Sequence, residues 1–153
     1  MAITVGDIAP DFSLAAQGGE TVTLSQFKGQ KPVVLYFYPK DDTPGCTAES
    51  CSFRDSYEAF KDLGAEVIGI SSDSPSSHSA FAAKHNLPFI LVSDMGARVR
   101  KAYGVPATLG LLPGRVTYVI DRGGIIKHVF NSQFNATAHV SEALSVLKSL
   151  AAA

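Results

Sequence analysis

Pro32-Val33-Val34-Leu35-Tyr36-Phe37-Tyr38-Pro39, running on through Lys40-Asp41-Asp42-Thr43-Pro44-Gly45 to Cys46, is the stretch from which the fold is read. Its first half is an unbroken run of apolar, β-branched and aromatic residues. A strand with one wet face would alternate, so a run without polar interruption marks a strand buried on both faces. Such strands belong to sheets with helices packed on both sides. The second half opens a helix. Thr43 is a good N-cap, and Pro44 suits the first helical position, where an N–H would have no intrahelical partner.

Working outward, the same alternation of elements continues. Upstream, Phe12-Ser13-Leu14 and Thr21-Val22-Thr23-Leu24 flank Gly18-Gly19 and read as a short hairpin, with Ser25 capping a helical turn before Gly29. Downstream, one helix is expected from about Pro44 to Leu63. Phe53, Tyr57 and Phe60 form its apolar stripe and Gly64 ends it. Glu66 to Ile70 reads as a second buried strand. A helix opened by Ser74 or Ser76 then runs to about His85, carrying Phe81 and Ala82. Pro88 to Val92 reads as a third strand, and Asp94 caps a helix to about Tyr103. A loop broken by Pro and Gly spans Gly104 to Gly114. Arg115 to Ile120 and Ile125 to Phe130, joined by Asp121-Arg122-Gly123-Gly124, read as a hairpin. A last helix from about Ala138 to Leu150 places Val140, Leu144 and Leu147 on one face, and Ala151-Ala152-Ala153 reads as a frayed tail. The pattern describes a single α/β domain over residues 1–153, with a mixed central sheet flanked by helices and an N-terminal β-hairpin.

The 153 residues suit one domain with one substantial core, and the 46% apolar content argues against disorder. Acids and bases are mixed to a formal net charge of −1, without a basic stripe, which removes electrostatic support for nucleic-acid binding. No apolar run approaches the roughly 18 residues of a membrane helix. The N-terminus lacks the charged and apolar regions of a signal peptide, although the mature form of a trimmed organelle precursor would look the same.

Two cysteines are too few for a disulfide-stapled secreted scaffold. Counted from Thr43, Cys46 is the third helical residue. It lies in the first turn, where backbone N–H groups are unpaired and the helix end is positive, and both effects favour the nucleophilic thiolate over the thiol. The junction is also at the carboxyl end of a buried strand, where open α/β sheets place their sites. Taken alone, Cys46 equally fits a small buried hydrophobe at a helix start. Asp41 and Asp42 would oppose a thiolate if they pointed inward; they read as solvated loop acids. Cys51 follows five residues later. On a helix this is a rise of about 7.5 Å and more than a full turn. A disulfide requires Cα atoms within about 7 Å and facing side chains. The two therefore either never pair or pair only after the first turns unwind. Structural zinc fits poorly. His78, His85, His128 and His139 form no compact ligand pair, and they read as ordinary surface or core residues.

With these residues in view, Pro39, Thr43 and Cys46 at their spacing resemble the signature of peroxiredoxins. The second cysteine is similar to the Q-type, or bacterioferritin-comigratory, subfamily. The resemblance spans nearly the whole chain. It takes in Gly6-Asp7 with Ala9 to Phe12, Ser71 to Pro75 with His78, Leu87-Pro88-Phe89, Pro113 to Asp121, and Asn131 to Phe134. It implies a thioredoxin-like fold and reduction of hydrogen peroxide and alkyl hydroperoxides without cofactor or metal. Under it, Cys46 attacks the peroxide and becomes a sulfenic acid, Cys51 resolves that to an intramolecular Cys46–Cys51 disulfide, and thioredoxin or a similar dithiol reduces the product. Thr43 would hydrogen-bond peroxide or thiolate. Pro39 would shield the sulfenate. Arg115 would hold the thiolate and the charge on the leaving oxygen, and Glu49 would organise hydrogen bonds around the site. A strand antiparallel to the central one begins where the central one ends, which puts Arg115 within reach of Cys46. The resemblance further implies a monomer, in bacterial cytoplasm or, as a processed form, in a plastid-type organelle. Two other readings compete. A general thiol–disulfide oxidoreductase would need a Cys-x-x-Cys pair, which the sequence lacks, and a redox sensor or holdase would be oxidised stoichiometrically rather than turn over.

Overall fold

The computed structural model describes residues 3–105, 107–108, 112–132 and 135–152. In chain order they form β1 (Ser13–Ala16), β2 (Thr21–Thr23), a 3-10 turn (Leu24–Phe27), β3 (Val33–Phe37), α1 (Pro44–Asp55), α2 (Tyr57–Asp62), β4 (Glu66–Ser71), α3 (Pro75–His85) and β5 (Ile90–Ser93). Then follow α4 (Arg98–Tyr103), β6 (Ala107–Thr108), β7 (Leu112–Pro113), β8 (Val116–Ile120), β9 (Ile126–Asn131) and α5 (Ala138–Ala152). One seven-stranded sheet has the order β2-β1-β5-β4-β3-β8-β9. Its β3, β4 and β5 run parallel, while β1 and β2 at one edge and β8 and β9 at the other are antiparallel. This is the mixed sheet with an N-terminal hairpin expected from the sequence.

The opening stretch explains the layering. Every residue of β3 is buried, and alternate side chains enter opposite cores because successive strand side chains point to opposite faces. Val33, Leu35 and Phe37 pack with Ile68, Ile70, Val92 and Tyr118 on one face. Val34, Tyr36 and Tyr38 pack with Phe53, Phe60, Phe81, Phe89 and Leu147 on the other. Each large side chain so buried contributes roughly 1.5–3 kcal/mol relative to exposure. Gly69, beside Tyr36 in the β3–β4 register, is required by this packing. A Cβ there would lie 2.7 Å from Tyr36 Cζ and 2.8 Å from Leu91 Cδ2. The space left by glycine holds the Tyr36 ring, which stacks on Phe53 at 4.5 Å between centroids.

Several boundaries differ from expectation for identifiable reasons. The helix expected from Pro44 to Leu63 is two helices, broken at Ser56, whose φ of −102° and ψ of 5° leave the helical region. Asp55 and Ser56 are both weak helix formers that compete for backbone hydrogen bonds. The apolar stripe survives the break: Phe53 and Phe60 are fully buried, and Tyr57 is half-buried with its hydroxyl donating to Glu66 Oε1 at 3.1 Å. The 3-10 turn is capped at Thr23, not Ser25, and the Thr23 N–H donates to Gln26 Oε1 at 2.9 Å. The third parallel strand begins at Ile90 rather than Pro88. Asp94 does cap α4, but from outside an intervening turn: its carboxylate accepts the N–H groups of Val99 and Arg100 at 3.2 and 2.9 Å. Within the expected loop, β6 and β7 pair as a short antiparallel ribbon. Gln133 and Phe134, part of the family resemblance, lie outside the described residues.

Candidate active site

The end of β3 and the start of β8 lie side by side, with Phe37 opposite Val116. The loop from Pro39 to Thr43 leaves this end of the sheet, and α1 begins directly after it, so the residue before β8 and the first turn of α1 meet. Cys46 is the third residue of that helix, as expected. It is buried to 1% exposure. The first helical backbone bond is the one from Thr47 N–H to Thr43 O at 2.8 Å. Thr43 occupies the N-cap position, but its side chain makes no cap bond. Its hydroxyl donates instead to the Lys40 carbonyl at 2.9 Å. No side-chain cap therefore offsets the positive end of α1, and Cys46 lies in its first turn.

Arg115 reaches the same point from the other side. Its Nη2 donates to Cys46 Sγ at 3.4 Å and its Nη1 to Glu49 Oε1 at 2.6 Å. Cys46 and Glu49, three residues apart, share one face of α1, so one planar guanidinium can bridge both. Gly45 makes room for it: a Cβ at that position would meet Arg115 Nη2 at 2.9 Å. Glu49 is fully buried, not an exposed helix acid. Burial pushes its carboxyl up to about 8, against the opposing pull of Arg115. Below it, the Tyr36 and Ser50 hydroxyls bond at 2.9 Å, and burial raises the Tyr36 phenol so that it stays neutral. Pro39 is half-buried at the end of the strand. Cys51 is half-buried and, like Cys46, a free thiol. Both are helical, so the separation that forbids a static bridge holds in this state.

The reading of the loop is corrected at Asp41, which is not a solvated acid. It is buried, and its carboxylate accepts the Tyr38 hydroxyl at 2.5 Å and the Ser77 hydroxyl at 2.9 Å and faces His78 Nδ1 at 2.8 Å. His78 in turn donates Nε2–H to the Val92 carbonyl at 2.9 Å. The loop is thereby tied to α3 and β5, and the cost of burying Asp41 is met by three partners. Asp42 does read as expected, exposed and paired with Lys84 at 2.9 Å. Sequence reasoning also missed Arg100, which is buried and donates to the carbonyls of Tyr38 and Gly114, both at 2.9 Å. It clamps the end of β3 to the residue before Arg115. Nothing local marks Arg100, because it stands in a basic helical stretch that reads as a solvated face. His139, buried against Glu49, gave no local signal either. Among the described residues, no group of three His, Cys, Asp or Glu side chains could hold a metal ion.

The AhpC/TSA family model matches residues 5–129. The chain belongs to the peroxiredoxin family. It is 56% identical over 149 residues to the chloroplastic peroxiredoxin Q of Populus jackii, covering 97% of this chain and 70% of that one. To the chloroplastic peroxiredoxin Q of Sedum lineare it is 57% identical over 149 residues, with 97% and 80% covered. Among solved structures, peroxidoxin BcpB of Mycobacterium tuberculosis superposes with a TM-score of 0.89 at 37% identity, covering 97% of this chain and 98% of that one. Peroxiredoxin Q of Xanthomonas campestris gives 0.88 at 31% identity, with 98% of both chains covered. The fold is accordingly thioredoxin-like, and this peroxiredoxin is a thiol peroxidase of the Q type. A Cys-x-x-Cys exchange site, the rival on the same fold, has no residues here to form it.

Proposed function

We propose that Cys46 is the attacking thiolate of a peroxidase cycle closed by Cys51 and a dithiol reductant of the thioredoxin class. The observation that carries this reading is the Arg115 guanidinium against Cys46 Sγ in the first turn of α1. Thiolate attacks the distal oxygen of hydrogen peroxide or an alkyl hydroperoxide: sulfur takes the hydroxyl, the O–O bond breaks, and the leaving oxygen picks up a proton to depart as water or alcohol. Arg115 offsets the charge that shifts from sulfur to that oxygen. The Thr43 hydroxyl, which donates to Lys40 and keeps acceptor capacity, receives the peroxide O–H. Pro39 covers the resulting sulfenic acid, and Glu49 fixes the plane of the Arg115 guanidinium.

Cys51 thiol then attacks the sulfenic sulfur, forming the Cys46–Cys51 disulfide and releasing water. Helix geometry requires the turns between them to unwind for this step. The second half of α1 can stay in place, since Phe53 is buried and Arg54 Nη1 donates to the His85 carbonyl at 2.8 Å. A dithiol donor reduces the disulfide and completes the cycle. No second chain is needed, which supports a monomer. The chloroplastic names of the relatives above favour a plastid-type compartment over bacterial cytoplasm for this chain. The test is a peroxide-consumption assay with thioredoxin and its reductase. Cys46→Ser should abolish turnover, and Cys51→Ser should keep one round of Cys46 oxidation while losing thioredoxin-dependent turnover. Wild-type turnover in Cys46→Ser would refute the reading.

A further inference from the structure

Thr43 stands at the N-cap of α1, yet its hydroxyl donates backwards, to the Lys40 carbonyl at 2.9 Å. Asp42, at a φ of 61°, turns the chain so that this contact can close. The Lys40 carbonyl belongs to the same rigid plane as the Asp41 N–H. That N–H points the other way and donates to Asp73 Oδ2 at 2.8 Å. Asp73 lies in the turn between β4 and α3 and is itself held. Its Oδ2 also accepts the Ser71 hydroxyl at 2.6 Å, and its N–H donates to Ser71 Oγ at 3.2 Å. Ser71 ends β4 and is 1% exposed. A continuous link therefore runs from the sheet, through Asp73 and one peptide plane, to the Thr43 hydroxyl.

The side chain of Asp41 cannot replace this link. Its three contacts, to Tyr38, Ser77 and His78, fix where its Cβ lies. They leave the peptide before it able to turn as a unit about its two flanking bonds, with both Cα atoms in place. Such a turn would carry the Lys40 oxygen away from Thr43. The Thr43 hydroxyl would then be free for the ordinary N-cap role, accepting an N–H of the first turn of α1. That would engage the lone pair which the proposed cycle offers to peroxide.

We propose that Asp73 is a positioning residue for the peroxidase site: by accepting the Asp41 N–H it fixes the peptide whose carbonyl takes the Thr43 proton, which keeps the Thr43 oxygen as an acceptor for the peroxide O–H. The catalytic half of this rests on the reading of Thr43 given under the proposed function; the fixed peptide does not. Two measurements separate the halves.

The first is amide hydrogen exchange of the reduced protein, read by NMR. The Asp41 amide should be protected in wild type and exchange about fivefold faster or more in Asp73→Ala, as expected for one lost hydrogen bond. Asp73→Asn keeps an oxygen that accepts and should keep the protection. If Asp41 exchanges as fast in wild type as in Asp73→Ala, the proposal fails, whatever the activity. The second is the rate constant for Cys46 oxidation by hydrogen peroxide. Asp73→Ala should lower it about three- to tenfold, and Asp73→Asn should stay near wild type. In a Thr43→Val background, Asp73→Ala should lower the rate no further. An equal loss with and without the Thr43 hydroxyl would mark Asp73 as merely structural and overturn the proposal. So would a loss in Asp73→Asn matching that in Asp73→Ala. A wild-type rate in Thr43→Val, with Asp41 still protected, would refute the reading of Thr43 and the proposal built on it.

Discussion

At the scale of single residues, the site depends on close approach of one guanidinium to one sulfur. Gly45 permits it, because any side chain there would begin 2.9 Å from Arg115 Nη2. Gly45→Ala should therefore push the guanidinium off Cys46 and slow peroxide reduction on the order of tenfold or more, as expected for losing an electrostatic group worth at least about 1.4 kcal/mol in the transition state. Circular dichroism should show the fold intact, since alanine is a better helix former than glycine. An unchanged rate constant would show that the Arg115–Cys46 contact does not matter. Glu49 links the same site to stability. Its folded carboxyl is raised from 4.5 to about 8, so between those values the folded state binds more protons than the unfolded one. Stability should fall as pH rises through that window, by about 1.4 kcal/mol per pH unit. Thermal melts of Glu49→Gln against wild type should show this decline flattened; parallel curves would contradict it. His139, lowered from 6.5 to about 4, contributes with the opposite sign, losing stability as pH falls through 6.5 toward 4.

At the scale of elements, α1 carries the mechanism and its cost. Bringing Cys51 to Cys46 means leaving the helix over residues 46 to 51, which also separates Glu49 from Arg115 and Ser50 from Tyr36. Both contacts are buried, and leaving a buried hydrogen-bonding group unsatisfied costs roughly 1–3 kcal/mol. Formation of the disulfide must offset that, so the oxidised protein should be the less stable and more open form. Amide hydrogen exchange should show protection over residues 46 to 51 falling on oxidation, with β3 and β4 unaffected. Equal protection in both states would exclude unwinding. The long elements were legible in the sequence because hydrophobic periodicity speaks for packing: β3, β4, α3 and α5 needed nothing more. The break at Ser56 was not legible, since Phe53, Tyr57 and Phe60 keep one stripe across it. Cys46 at the third helical position and Arg115 at the start of its strand followed from local rules plus the antiparallel hairpin. Asp41, His78, Arg100 and His139 did not, because each has partners 14 or more residues away that no local pattern announces.

At the scale of the molecule, β3 ties these parts together. Its two faces fill two cores, and its carboxyl end delivers the loop that α3 holds through Asp41 and His78 and that α4 holds through Arg100. Removing one of these clamps should loosen the loop while leaving the sheet. His78→Ala removes one of the three partners of the buried Asp41 side chain and should cost roughly 1–3 kcal/mol of stability, read as a lower denaturation midpoint. A stability matching wild type would show that Asp41 finds other partners. The proposed cycle draws both the attacking and the resolving thiol from one chain. It is tested most directly by mass spectrometry of the reduced protein after one equivalent of hydrogen peroxide, under non-reducing conditions. The predicted result is a monomer lighter by two hydrogens, with a peptide linking Cys46 to Cys51. A disulfide-bonded dimer, or sulfenic acid persisting on Cys46 beside a free Cys51 thiol, would contradict it.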